Sequence, residues 1–588
     1  MMSIWKNGII FAIIQSKPDY ASLLKNTHFY GNQGNLLKSN ELNMAQPGKA
    51  VLPKQMKMIG AMEVTDSTNH RKLLVSLCLA LVLVTGIGCA VGPDYRKPET
   101  KVPDNWNGQE VVTKDTPSKT SPDPAALIDW WQAFNDPSLS ALVEMAIRAN
   151  LDLRLAEARI RQARASLGVA GGAFWPEVDA TALYERSHSS IVAVGPSGGG
   201  SSGGGTGGFS GGGSSEGVTI APFRDLFQVG LDASWEIDIF GGIRRNIEAA
   251  GADLRAAVED RRDVLITLVG DVGSNYINLR GFQQQIDIAR KNLEAQKHNA
   301  DIIQKRHDAG FVGGLDVANA RAQVATTAAT IPIFESSARA AIYSLGVLLG
   351  REPAALEKDL IKAGLIPPTP PEIPVGLPSD LLRRRPDIRR AEAQLHAATA
   401  RIGVATADLF PKFSLTGTFG FSSSDLTKLS KLADSKFWSF GPSVTWPIFA
   451  GGRLWWNVKV QDALTEQALL TYQKTVLTAL RDVETALVAY AKQQETRKSL
   501  SEAVINNRKA VELAMTLYLA GKSDFLNVIV AQRSLFTTED ALALSIRTVD
   551  TNLIALYKAL GGGWENTPSL TSTKPPANII LPVKTSEP

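Results

Sequence analysis

The chain has 588 residues, 20% of them charged, and a net charge of +4 at pH 7. It is too long for one ordinary domain, and so balanced a charge excludes the strong field of a nucleic-acid-binding protein. Two cysteines, Cys78 and Cys89, exclude a disulfide framework and a cysteine-rich metal cluster.

Residues 1–61 read as a non-native or misannotated extension, because they precede an export signal; Met56, Met58 and Met62 each offer a start. The signal occupies 62–88. Arg71 and Lys72 open it, and an apolar run over 73–84 follows. That run is too short to span a bilayer and suits secretion. It ends in Gly86-Ile87-Gly88-Cys89, similar to a bacterial lipobox with Gly86 where leucine is usual. Cleavage before Cys89 is expected, with an N-acyl chain and S-diacylglycerol on that cysteine. Residues 89–135 then form a lipidated N-terminus and equatorial segment.

Beyond 136 the chain repeats itself. The run Asp152-Leu153-Arg154-Leu155-Ala156-Glu157-Ala158 returns as Asp387-Ile388-Arg389-Arg390-Ala391-Glu392-Ala393, an offset of 235. Further on the offset is 211, with Ala309-Gly310 matching Ala520-Gly521 and Leu349-Gly350 matching Leu560-Gly561. The difference lies in a Gly/Ser loop, 195–217, between the first copy's two strands. It lacks the Lys-Ser/Thr ending of a phosphate-cradling loop and reads as a surface loop.

The first copy, 136–350, holds strands at 176–186 and 227–240, a long helix at 244–308 and a return helix at 315–349. A linker, 351–378, leads to the second copy, 379–561. There the strands are 412–421 and 437–449, the long helix 453–519 and the return helix 525–560, followed by a tail, 562–588. The strands alternate with period two, as in Phe227, Val229, Leu231, Ala233, Trp235, Ile237 and Ile239 against Gln228, Gly230, Asp232, Ser234, Glu236 and Asp238. Each long helix spans roughly 100 Å at ~1.5 Å per residue. Apolar residues recur every seven positions, as at Leu265, Val272 and Leu279 and again at Val476, Val483 and Tyr490. The period predicts coiled-coil packing, turned back at Gly310 and Gly521, with a kink at Pro332.

Strands of this length cross a bilayer when tilted, and their edges must close into a barrel. Four strands enclose no channel, so several chains must share one. Trp235 then approaches an interface, and Asp232, Glu236 and Asp238 face a wet lumen, where carboxylates are tolerated.

The stretches CAVGPDYRKP, DWWQAFNDPSLSALVEMAIRANLDLRLAEARIRQARA, AGFVGGLDVANARAQ, LLRRRPDIRRAEAQL, WPIFAGGR, AQRSLFTTEDAL and YKALGGGW closely resemble the TolC-family outer-membrane factors of the OprM/NodT-type efflux lipoprotein branch. The resemblance runs from Cys89 to Trp564. It implies an α+β membrane protein of two internal repeats: a homotrimeric, twelve-stranded β-barrel, four strands per chain, continued by a periplasmic α-helical coiled-coil barrel. A mixed belt would draw on residues around 100–135, 351–380 and 562–588. It further implies a lipid-anchored outer-membrane location, no enzymatic activity and no cofactor besides the Cys89 lipid. The implied partners are a periplasmic adaptor (membrane fusion protein), an inner-membrane pump of RND type and outer-membrane lipid. Asp316 and Tyr518 match positions that hold the tunnel's inner end shut. Asn527 and Val530 stand where some members carry aperture aspartates, and Asp524 is a nearby substitute. Helix capping is the competing reading for Asp316 and Asp524.

Nothing points to catalysis: His28, His70, His188, His298, His307 and His396 are scattered without ligand spacing. Arg383-Arg384-Arg385 before Pro386 reads as helix-start packing. The alternatives to drug-type efflux are an exit duct for type I protein secretion or metal export, and a lipid-anchored coiled-coil spacer without a pore.

Overall fold

A computed structural model describes residues 90–108, 119–121, 127–188, 223–370, 372–429 and 432–565. The extension 1–61, the signal 62–88, Cys89, the loop 195–217 and the tail beyond 565 lie outside the described residues.

Strand β1 (Lys119–Ser121) is followed by a 3₁₀ turn, Trp130–Phe134, then α1 (Pro137–Ala149) and α2 (Leu151–Gly172). Asp136 caps α1 by accepting from the Ser138 and Leu139 amides, with Pro137 preset at the first helical position. Strands β2 (Glu177–His188) and β3 (Phe223–Ile237) lead into α3 (Gly242–Asp308) and α4 (Gly314–Leu348). After β4 (Glu372–Pro374) come α5 (Pro378–Arg384), α6 (Pro386–Ala407), β5 (Lys412–Ser423), β6 (Lys436–Thr445), α7 (Arg453–Leu519) and α8 (Phe525–Ala559). Lengths pair between the halves: α3 and α7 have 67 residues each, α4 and α8 have 35, α2 and α6 have 22, and β2 and β5 have 12.

Two sequence boundaries need correction. The strand expected at 227–240 is Phe223–Ile237, because Asp238 turns into the following helix. The strand expected at 437–449 is Lys436–Thr445; Pro447 cannot donate to a ladder, and Trp446 and Ile448 fall outside the pairing. Helix α4 continues through Pro332.

The main sheet has the order β2-β3-β5-β6, every pair antiparallel. Below it, α3 packs on α2, α6, α4 and α8, while α7 packs on α6 and α8. The heptad positions Leu265, Val272, Leu279, Val476, Val483 and Tyr490 are all buried. The main core lies around these mid-helix turns, where Trp130 stacks on Tyr557 at 5.1 Å. Strand β1 pairs in parallel with β4, and Gln283 donates to the Leu360 carbonyl at 2.7 Å. A second, small core gathers at the far tip: Ile303, Val317, Ala320, Tyr518, Phe525 and Val528.

Candidate channel wall and gate

The register sorts the strand residues onto two faces. Val229 stands beside Phe421, Leu231 beside Phe419, and Trp235 beside Leu415. On the same face Ala182 opposes Val229, and Trp438, Phe440 and Val444 oppose Phe419, Gly417 and Phe413. One face is therefore apolar across all four strands, yet Leu231, Phe419, Trp438 and Phe440 are 49–77% exposed. Nothing in water rewards such a surface. The other face carries Asp179, Thr181, Asp232, Glu236, Thr416, Thr418 and Ser439, with Thr181 donating to Asp232 at 3.0 Å and Thr418 bonded to Ser439 at 2.9 Å. From Phe227 to Ile237 the apolar band climbs roughly 25 Å at ~45° tilt, the height of a bilayer-facing barrel band.

Both rims of the band are marked. At one end Tyr184 stacks on Phe227 at 4.7 Å and donates to Asp225 at 3.1 Å. At the other, the Trp235 indole donates to the Phe174 carbonyl at 3.0 Å and the Trp446 indole to the Leu409 carbonyl at 3.1 Å. Aromatic rings with one polar end suit a membrane–water boundary.

Of the three carboxylates assigned to a lumen, Asp232 and Glu236 lie on the polar face, and Asp238 does not belong there. Its side chain is 6% exposed and accepts from the Ile243 amide (3.2 Å), the Arg244 amide (2.9 Å) and Arg244 Nε (3.1 Å). The positive end of α3 takes this carboxylate as its cap, and the chain leaves the strand to deliver it.

Ala90 lies at this same junction, its Cα 2.7 Å from where a Cβ on Gly241 would stand. The Val91 amide donates to the Phe240 carbonyl at 3.0 Å. Arg245, buried, holds Asp94 at 2.6 Å and Glu248 at 2.8 Å. Tyr95 stacks on His396 at 4.3 Å.

The opposite end of the helices forms two tight turns. Gly310 (φ 81°) and Gly521 (φ 70°) adopt the left-handed conformation. The Phe311 amide donates to the Arg306 carbonyl and the Lys522 amide to the Leu517 carbonyl, each at 2.9 Å, in the pattern of Schellman caps. Beneath them Tyr518, 5% exposed, packs on Phe525 at 5.2 Å, and the Arg306 guanidinium lies 4.8 Å from its ring centre. Burial raises the phenol pKa, opposed by Arg306 and reinforced by Asp316. Asp316, in the first turn of α4, is therefore near, but the Tyr518 hydroxyl is buried without a hydrogen bond. The direct tyrosine–carboxylate bond expected for a latch is absent within the described residues of one chain; the hydroxyl is enclosed by the tip core and Arg306 instead. Asp524 is exposed at the start of α8 and its side chain makes no capping bond; Asn527 donates to Ser523 at 2.9 Å.

Arg306 was not singled out from the sequence, though it lies three residues from the buried Ile303 and four before Gly310. Asp550 was also missed: it sits on a regular helical face, and only tertiary packing reveals it as fully buried. Among the described residues no group of His, Cys, Asp and Glu could hold a metal ion.

A family model described as outer membrane efflux protein matches residues 142–351 and 377–562. The chain is 31% identical over 495 residues to nodulation protein T of Rhizobium leguminosarum bv. viciae, covering 84% of this chain and 94% of that protein. It is 33% identical over 445 residues to the pyoverdine export outer membrane protein OpmQ of Pseudomonas aeruginosa, covering 76% and 89%. Among solved structures, the outer-membrane channel OprN aligns at 35% identity with a TM-score of 0.71, covering 81% of this chain and 100% of that one. The open state of the Neisseria gonorrhoeae MtrE outer membrane channel aligns at 27% identity with a TM-score of 0.66, covering 81% and 99%. With most of its length matched in sequence and in fold, this chain belongs to the outer membrane efflux protein family, the TolC-like channels.

Proposed function

We propose that three copies of the chain close a twelve-stranded barrel in the outer membrane, continue it as a helical tunnel, and form the exit duct of a tripartite efflux system. The carrying observation is the two-faced sheet: an exposed apolar face, a polar face, and, among the described residues, β2 and β6 each paired on one side only. Unpaired backbone groups cannot remain in hydrocarbon, so the sheet must close, and a single chain's four strands cannot enclose a lumen. The matched element lengths support two copies of one unit per chain.

Inner-membrane pump and periplasmic adaptor are the partners of this duct, with an RND-type pump as the finer assignment. Lipidation of Cys89 is supported by the place of Ala90 beside Gly241, at the junction of β3 and α3. Asp316 and Tyr518 serve the closed end from the tip of the helices, where Tyr518 packs on Phe525 beneath Arg306. The chain conducts and carries out no chemistry of its own.

Single-channel recording of the purified protein in planar bilayers tests this. Small, flickering currents that grow in Asp316→Ala and Tyr518→Ala are expected. Large currents unchanged by either substitution remove the latch and keep the duct. Folded protein that never inserts overturns the duct.

A further inference from the structure

Away from the strands and the tip, one groove collects a surplus of positive charge. A cavity of about 640 Å³ opens between α3 and α6, beside the arm that follows residue 90, with Tyr95, Arg255, Arg262, Arg389, Glu392 and His396 in its wall. Four cations meet two carboxylates there: Arg255, Arg262, Arg389 and Lys97 against Glu259 and Glu392. Lys97 bridges Glu392 at 2.8 Å. Arg262 Nη1 and Arg389 Nη2 share a single oxygen of the buried Glu259, at 2.6 and 2.9 Å. Arg255 has no carboxylate; among the described residues its guanidinium bonds only to His396 Nδ1, at 3.0 Å. A guanidinium only donates, so that nitrogen accepts and the ring is neutral, with its Nε2–H donating to Glu248 at 2.8 Å. Most of the N–H donors on these three guanidiniums are therefore unused among the described residues.

From this surplus we infer a binding site for a small soluble organic anion, a carboxylate or phosphate carried on an apolar or planar body. Guanidinium forks match the paired oxygens of those groups. The site is held in place before any ligand arrives. The Arg262 and Arg389 guanidiniums lie 4.3 and 5.5 Å from the Trp564 ring centre, and Tyr95 stacks on His396 at 4.3 Å. The body of the ligand has its own wall, made by Leu254, Val258 and the Tyr95 ring. Inorganic phosphate alone would leave that space unfilled. With the strands in the bilayer, as read above, lipid phosphate is out of reach. Arg255 and Arg262 lie roughly 20–30 Å along α3 from Gly242 at ~1.5 Å per residue, whereas a headgroup layer is only about 5–8 Å deep. Because α3 and α6 belong to different halves of the chain and Tyr95 to the arm, a bound anion ties all three together.

Calorimetric titration of the purified full chain in detergent with phenyl phosphate tests the site. One molecule per chain should bind, and Arg255→Gln should weaken it about tenfold or more, the scale of one lost charge-assisted pair. Arg255 is exposed, so this variant should keep the wild-type melting temperature. Arg389→Gln should weaken binding as well. Lys358→Gln, the same loss of charge at an exposed position outside the cavity, should not. Phenyltrimethylammonium, the same ring with a cationic head, should not bind. Monomeric dihexanoyl phosphatidylglycerol should bind about tenfold more weakly than phenyl phosphate, or weaker still. No binding of phenyl phosphate, or binding that Arg255→Gln and Arg389→Gln leave unchanged, overturns the site. Equal binding of the ammonium would show a merely apolar groove and overturn the anion. Tighter binding of the lipid headgroup overturns the soluble ligand and the depth assigned to the bilayer, while the arginine site stands.

Discussion

Thr369, in the segment before β4, donates its hydroxyl to the Asp550 carboxylate on α8 at 2.8 Å, and the other carboxylate oxygen is buried without a hydrogen bond. Arg497 of α7 approaches the same threonine at 3.4 Å. Burial raises the Asp550 pKa from 3.8 to about 7, against the hydrogen bond from Thr369 and the charge of Arg497. A raised folded-state pKa means that the folded protein binds more protons than the unfolded chain between about pH 4 and pH 7. Stability from this group is therefore fully present below that window and is lost as pH rises through it. Asp550→Asn should leave the melting temperature unchanged near pH 4, raise it at pH 8, and flatten its pH dependence between. Scanning calorimetry in detergent at several pH values checks this; a uniform loss at all pH values would show that the carboxylate matters only through packing.

Asp238→Ala should destabilise the junction between β3 and α3 by about 1–2 kcal/mol, the usual scale for losing a capping side chain. It should leave single-channel conductance within the scatter of the wild type, because the carboxylate is spent on the Ile243 and Arg244 amides. Glu236→Gln should do the reverse, since that side chain is exposed on the polar face. Paired melting curves and conductance traces separate the two roles.

Gly420→Ala should block barrel formation. A Cβ there would stand 2.5 Å from the Val229 carbonyl oxygen and 2.7 Å from the Gly230 Cα, both backbone atoms of the neighbouring strand. Gly441→Ala on β6 is the control, with nothing within 4 Å of its added Cβ. Heat-resistant migration of the folded protein on gels should vanish for the first and persist for the second.

Tyr518→Phe removes a buried hydroxyl that has no hydrogen bond in the single chain, so it should not lower thermal stability. Tyr518→Ala should cost about 3 kcal/mol or more by hollowing the tip core and removing the Arg306 contact. Equal losses for both would mean that the hydroxyl itself is bonded in the folded protein.

Elements that carry their own pattern were legible from sequence. The long helix over 453–519 rests on a seven-residue apolar period, and it ends where Gly521 supplies a left-handed residue. The alternation in β3 was legible for the same reason, since adjacent residues of a strand point to opposite faces. That alternation misled at its end. Asp238 keeps the polar phase of the strand, but a carboxylate one turn before a helix start meets a stronger demand from free amides than from a lumen.

Local periodicity and glycine turns were enough to read which segments are strand and helix and that one strand face is apolar, but not where β3 and β6 end. The pairing of residues across β3 and β5, the sealing of Asp550 beneath the linker, and the enclosure of Tyr518 beneath Arg306 with its hydroxyl unbonded came from packing between distant segments. Those depend on which distant surfaces meet, and a side chain's solvent, partner and charge state are set by that meeting.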